Sequence, residues 1–190
     1  MALSAHKFGG PKGVGILVVR EGKYFEPIVL GGGQERDRRS GTHNVGGIVA
    51  AAEALRMTDV ERSSEVARIS ALRDQLFAGL LAIEGAHRTI PAEDSVPGVV
   101  HVCLQGIESE SLLYLLDEAD VCASAASACA SGAMEPSHVL AAMGLSSDLT
   151  IGALRLSLGH TTTEGDVDRA IEAITDAVVR IRAVQNRRSL

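Results

Sequence analysis

Apolar residues cluster in a β-rich run over 14–19, bounded by Gly10-Pro11-Lys12-Gly13 before it and Glu21-Gly22-Lys23 after it, which predicts a buried strand. A second extended piece is expected over 25–30. Beyond it, Gly31-Gly32-Gly33 and the polar stretch 37–44 have turn composition and little to bury, so they read as a structured surface loop. Residues 48–57 are alanine-rich and helix-prone, and Ile69, Leu72, Leu76, Leu80 and Ile83 recur at helical spacing until Gly85. One long helix is expected there, broken near Thr58-Asp59.

Farther on, Val99, Val100, Val102 and Leu104 predict a strand, and Leu112, Leu113, Leu115 and Leu116 a helix. Val121 and Cys122 suggest a short strand that empties into the small-residue stretch 123–132, which reads as an exposed loop. Pro136 suits the first turn of a helix reaching Met143, and 153–158 reads as another strand. Thr163 and Asp166 fit a capping box, followed by the stripe Val167, Ile171, Ile174, Val178 and Ile181 of a final helix with a frayed tail from Asn186. Composition shifts near 85–97, so we divide the chain into 1–85 and 86–190. One strand and one extended piece cannot make a covered parallel sheet, so the first part reads as opening inside a fold.

The chain has 190 residues, enough for one domain or two small ones, and 46% of them are hydrophobic. A formal charge of -6 gives no general attraction to phosphate backbones or anionic membranes, and 3% aromatics with no Trp leave no stacking platform for single strands. Nucleic acid and membrane are therefore not expected as main partners. The opening residues lack a basic segment followed by an apolar one, so a cytoplasmic address is expected. Three cysteines at 103, 122 and 129 match neither a disulfide framework nor a zinc knuckle. The histidines show no metal-ligand spacing, and no metal is assigned.

Several positions carry chemistry. Lys7 stands among small residues at the mouth of the first strand; there it is either a desolvated amine suited to Schiff-base chemistry, with Ser4 and His6 beside it for an anion, or a solvated lysine. Lys12 is followed by glycine, which excludes a Walker phosphate loop. Cys129 lies in the small-residue loop, where a thiol can travel to a substrate and ionise beside a cation or helix start. Cys103 and Cys122 sit in apolar, strand-like surroundings and read as small hydrophobes. Arg155 interrupts an apolar alternation, so it either grips a carboxylate with its planar fork or points into solvent from an edge strand. Arg36, Arg38, Arg39, Ser40, Thr42 and His43 offer donors to an anion, or form an ordinary solvated cluster.

At Lys7, Cys129 and Arg155 together the sequence resembles the cysteine desulfurases, pyridoxal-phosphate enzymes of the class-V aminotransferase group. The resemblance rests on Ser4-Ala5-His6-Lys7-Phe8-Gly9-Gly10-Pro11-Lys12-Gly13-Val14-Gly15, on Gly31-Gly32-Gly33-Gln34-Glu35-Arg36 with Arg39-Ser40-Gly41-Thr42, on Ser127-Ala128-Cys129 with Glu135-Pro136-Ser137-His138-Val139-Leu140, and on Arg155-Leu156-Ser157-Leu158-Gly159. The loop around Cys129 looks like the long catalytic loop of the housekeeping and nitrogen-fixation branch. The resemblance implies an α/β fold-type-I PLP-dependent transferase, truncated: 1–85 as the end of the large domain with the interdomain helix, and 86–190 as the small α+β domain. It implies Lys7 as the Schiff-base lysine and proton shuttle for pyridoxal 5'-phosphate. Ser4 and His6 would help hold the cofactor phosphate, Thr42 would reach the phosphate of a neighbouring subunit in a homodimer, and Arg155 would hold the substrate carboxylate. Cys129 would take sulfur from L-cysteine as a persulfide, release L-alanine, and pass the sulfur to a scaffold or carrier protein for iron-sulfur cluster or thio-cofactor assembly.

Two departures accompany the resemblance. His160 stands where relatives often carry arginine. The family's ring-stacking histidine, its carboxylate on the pyridine nitrogen, its amide on the ring hydroxyl and its phosphate-binding helix start lie upstream of the Schiff-base lysine. The chain thus resembles the second half of a desulfurase, and alone is expected to bind the cofactor poorly and to be inactive. The alternatives are a non-catalytic interaction or dimerisation module derived from a desulfurase, and a related lyase or transaminase, which would leave the Cys129 loop unexplained.

Overall fold

The computed structural model describes residues 1–125 and 137–188. The chain divides into two compact units, Met1–Ser64 and Glu65–Leu190. In the first, β1 (Ala2–Ser4) pairs antiparallel with β2 (Gly15–Leu17) in the register Ala2↔Leu17, Leu3↔Ile16, Ser4↔Gly15. The chain turns between them through a 3-10 helix, η1 (Ala5–Phe8), which ends on Gly9 at φ 84°, a left-handed conformation glycine adopts without steric cost. Ala5 is the buried pin of this turn: its N–H donates to Val14 O at 3.0 Å and its carbonyl accepts from Gly10 N–H at 2.9 Å. A Cβ on Gly10 would stand 3.0 Å from the Ala5 side chain, so the small residues here set how closely the turn folds.

The strand expected over 14–19 is thus shorter, and the piece over 25–30 forms no strand. Ile28 and Leu30 are 97% and 79% exposed, so no sheet neighbour holds that segment extended among the described residues. The loop after it contains α1 (Gln34–Asp37), a single turn in which Glu35, Arg36 and Asp37 are left-handed at φ 51°, 57° and 62°. Asn44 then starts α2 (Val45–Leu81), its side-chain oxygen accepting Gly47 N–H at 3.1 Å. α2 runs unbroken for 37 residues, where the sequence suggested an interruption. The Thr58 hydroxyl satisfies itself on the helix's own Ala54 carbonyl at 2.8 Å and on Phe8 O at 3.3 Å, and Asp59 pairs with Arg62 at 3.1 Å, so neither residue pulls the backbone out of the helix.

The second unit is built on an antiparallel sheet of order β3 (Ala86–Arg88), β4 (Val99–Leu104), β5 (Ala153–Ser157). Alternation along β4 sends Val100, Val102 and Leu104 to one face, where they bury against Leu72, Leu76 and Leu80 of α2, Leu112 and Leu116 of α3 (Ser109–Glu118), and Ile174 and Val178 of α6 (Glu164–Arg188). Among the described residues, the opposite face is covered around Cys103 and Ala153, by Leu140 of α4 (His138–Ala142) with Leu145 and Leu149, the latter on α5 (Ser147–Thr150). The capping box at α6 is present: Asp166 Oδ2 accepts Thr163 N–H at 2.9 Å while Thr163 Oγ1 accepts Asp166 N–H at 3.2 Å. The fraying expected over 186–190 is not seen as far as Arg188, where α6 ends; 189–190 lie outside the described residues. Val121 and Cys122 form no strand; the pairing falls instead on Ser124, which bridges to Arg155. Among the described residues no helix is long and apolar enough to cross a membrane.

Candidate active site

In the first unit Ser4, His6 and Lys7 come together on one turn because β1 ends at Ser4 and η1 begins at Ala5. Only Ala5 faces inward. His6 and Lys7 are exposed, so the strand-mouth lysine is not desolvated by this unit itself. Ser4 sits at the N-cap position of η1 yet its hydroxyl makes no capping bond, and no ion pair engages the Lys7 amine among the described residues. One primary amine, one imidazole and one hydroxyl on a single turn form a donor set that fits an aldehyde-bearing phosphate such as pyridoxal 5'-phosphate.

The loop before α2 orders itself around Ser40. Its side chain is buried, its hydroxyl donates to Gly32 O and its N–H donates to Val29 O at 3.2 Å. Gln34 Oε1 accepts Gly41 N–H at 3.0 Å, and His43 Nε2 approaches Glu35 at 3.1 Å. Thr42 stands exposed on this loop beside Gly41. Ser40 thus proves a structural pin, and His43 is paired with a carboxylate inside the cluster proposed for anions.

In the second unit Arg155 lies in the middle of β5, half-buried, on the face opposite the main core. It is not at a free edge. Arg155 N–H donates to Ser124 O at 2.8 Å and Ser124 N–H donates to Arg155 O at 3.0 Å, adding a bridge on the outer side of the strand. Across β4 it faces His101. Because both backbone groups of Arg155 are spent on Ser124, Arg155 and His101 form a non-hydrogen-bonded pair, the closer of the two kinds of antiparallel pair. Among the described residues no carboxylate lies within ion-pair distance of the Arg155 guanidinium.

His101 and its partner Thr89, whose hydroxyl lies 3.0 Å from Nδ1, were not candidates on sequence grounds. Strand parity places His101 on one face of β4, but the register that brings it opposite Arg155 has no local signal. Burial, then the Arg155 charge, lowers the tendency of the His101 imidazole to protonate. Cys103 is fully buried and burial pushes its thiol up to about 11, in keeping with a small hydrophobe, whereas Cys122 is exposed and belongs to no strand. Cys129 lies outside the described residues. His160 is anchored through its backbone: Arg68 donates to the carbonyls of Thr162 at 2.7 Å and His160 at 3.0 Å, fixing the turn after β5.

The family model described as aminotransferase class-V matches residues 1–170. The chain belongs to the class-V aminotransferase family. Within that family it is similar to the cysteine desulfurase IscS of Methanosarcina thermophila, 42% identical over 182 residues, which are 96% of this chain and 45% of the relative. It is also similar to the IscS-like cysteine desulfurase of Mycobacterium tuberculosis, 44% identical over 96% of this chain and 47% of that protein. Among solved structures a NifS-like protein superposes with a TM-score of 0.83 at 39% identity, covering 94% of this chain and 46% of its own. The class-V chain therefore has the α/β fold of the PLP-dependent fold-type-I transferases and spans about half the length of the curated relatives it matches. Members of the cysteine desulfurase branch depend on pyridoxal 5'-phosphate.

Proposed function

We propose that the protein to which these residues belong is a cysteine desulfurase, converting L-cysteine to L-alanine and an enzyme-bound persulfide. The kinship to desulfurases along nearly the whole chain carries this reading, and the half-buried guanidinium of Arg155, with no ion-pair partner among the described residues, supports it. Lys7 would hold pyridoxal 5'-phosphate through its amine, with Ser4 and His6 as hydrogen-bond donors for its phosphate. Thr42 reaches the phosphate bound to the other copy in a homodimer. When bound, the cofactor supplies an electron sink for the substrate's Cα. Lys7 moves the proton at Cα, and Arg155 holds the substrate carboxylate with its two-pronged donor face. Cys129 attacks the substrate sulfur as a thiolate: an S–S bond forms, the C–S bond breaks, its electron pair passes to carbon, and protonation there completes L-alanine.

In this reading 1–85 closes a large cofactor domain and supplies the interdomain helix, while 86–190 is the small domain that carries Cys129. The persulfide then passes to a scaffold or carrier protein in the cytoplasm for iron-sulfur or thio-cofactor assembly. The test is mass spectrometry of the cofactor-loaded protein after exposure to L-cysteine. One added sulfur on Cys129, stoichiometric alanine, and loss of both in Lys7→Ala are expected. Alanine release that survives Cys129→Ala overturns the assignment in favour of another lyase chemistry.

A further inference from the structure

Four polar residues form a single row across one face of the second unit's sheet. Thr89 follows β3, whose register places Arg88 against Val102 and thus Thr89 beside His101; His101 faces Arg155, and Arg155 faces Ser124. The row lies next to the patch that Leu140, Leu145 and Leu149 cover, and His101 and Arg155 remain half-buried rather than sealed. A half-buried cation with a titratable ring as its closest cross-strand neighbour, and no acidic partner among the described residues, is an arrangement short of one negative charge.

Thr89 lets His101 carry either protonation state. Its hydroxyl lies 3.0 Å from His101 Nδ1 and 3.3 Å from His101 O, so it donates to the ring when the ring is neutral. When Nδ1 is protonated, Nδ1–H donates to the hydroxyl oxygen and the hydroxyl proton turns to the carbonyl. Both states are satisfied by rotating one O–H bond. Among the described residues, the other titratable or charged groups nearby are Cys103 on β4 and His87 on β3, which pair one step along the same face, and Arg88, which lies over the Phe77 ring at 3.7 Å. α4 contributes His138 and α5 contributes Asp148, both exposed. Among the described residues, Arg155 is the charge that acts on the His101 ring.

We propose that His101 is a second, protonation-dependent anion-recognising group of the Arg155 subsite, so that a substrate carboxylate binds together with a proton on His101. The inference rests on the reading of Arg155 as the carboxylate holder. Without an anion, burial and then the Arg155 charge lower the ring's tendency to protonate. A carboxylate seated on Arg155 removes that repulsion and supplies an acceptor for the protonated ring, and by linkage the proton then tightens the carboxylate by the same factor.

The test is an NMR titration of the His101 ring in the full chain from about pH 5 to pH 8, with and without L-alanine, neither of whose groups titrates in that range. His101→Gln assigns the resonance. The expected result is a midpoint that rises with L-alanine, and an alanine affinity about tenfold higher at the acid end than at the alkaline end. That pH dependence disappears in His101→Gln while alanine still binds, and Thr89→Val lowers the midpoint. A midpoint that stays fixed while alanine saturates the wild type, with Arg155→Gln abolishing binding, overturns the role of His101 and leaves Arg155 standing. Alanine binding unchanged in Arg155→Gln, or absent from the wild type, overturns both.

Discussion

Ser124 and Arg155 exchange two backbone hydrogen bonds, at 3.0 and 2.8 Å, and so tie the segment just before the Cys129 region to the centre of β5. The pairing has a direct consequence for side chains. By spending both backbone groups of Arg155 outward, it leaves His101 as the closely spaced neighbour on the inner side.

Ser124→Pro removes the N–H that donates to Arg155 O and loosens this bridge. We expect the Arg155 amide, which donates to Ser124 O, to exchange with solvent faster, and overall stability to fall by about 1 kcal/mol. Amide hydrogen exchange read at Arg155 checks the first expectation and urea unfolding the second. An Arg155 exchange rate equal to wild type would show that the bridge does not hold the strand.

Gly152 is buried where α5 turns into β5, and its N–H and C=O are both engaged, the carbonyl accepting Leu104 N–H at 2.9 Å. A Cβ there would collide with the Leu104 carbonyl and stand 2.9 Å from Ile107 O, both backbone atoms that have nowhere to go. Gly152→Ala should cost about 3 kcal/mol, seen as a lower urea midpoint with an unchanged slope. Gly159→Ala, where nothing lies within 4 Å, serves as the control and should change little.

Asp166 ionises at about 2, lowered chiefly by the Thr163 N–H, then by the Thr163 hydroxyl and by Arg169. A carboxyl whose folded value lies below its ordinary 3.8 adds stability above that value and loses it as the pH falls toward 2. Asp166→Asn should therefore melt below wild type at neutral pH, and the gap in Tm should close as the pH is lowered through that window. Equal melting points at pH 7 would remove the capping box from the stability of α6.

Burial moves the Cys103 thiol from an ordinary 9.0 to about 11, which leaves about a hundredfold less thiolate at any pH below both values. Iodoacetamide should modify exposed Cys122 in the folded chain while Cys103 reacts only after urea unfolding. Peptide mass spectrometry after a time course distinguishes them. Native modification of Cys103 at the rate of Cys122 would contradict the covering of that sheet face by Leu140, Leu145 and Leu149.

Much of the chain was legible in its residues because the signals are local. The stripes of α2 and α6, the Gly85 stop, the Thr163–Asp166 cap and the alternation of β4 and β5 each need only neighbours within a turn or a pleat. The turn that gathers Ser4, His6 and Lys7 is likewise a consecutive segment. Its family motif could be read before any contact was known. What the residues alone left open were features that depend on partners distant in the chain. The 25–30 piece is as apolar as a strand but finds no strand to pair with among the described residues, and the Thr58-Asp59 polar pair would end a helix if its groups had no partners along the helix itself. Only tertiary structure sets His101 against Arg155, since 54 positions separate them and a one-residue slip in register would send one side chain to the other face. Period is a property of the local backbone; register is decided by which faces the fold buries.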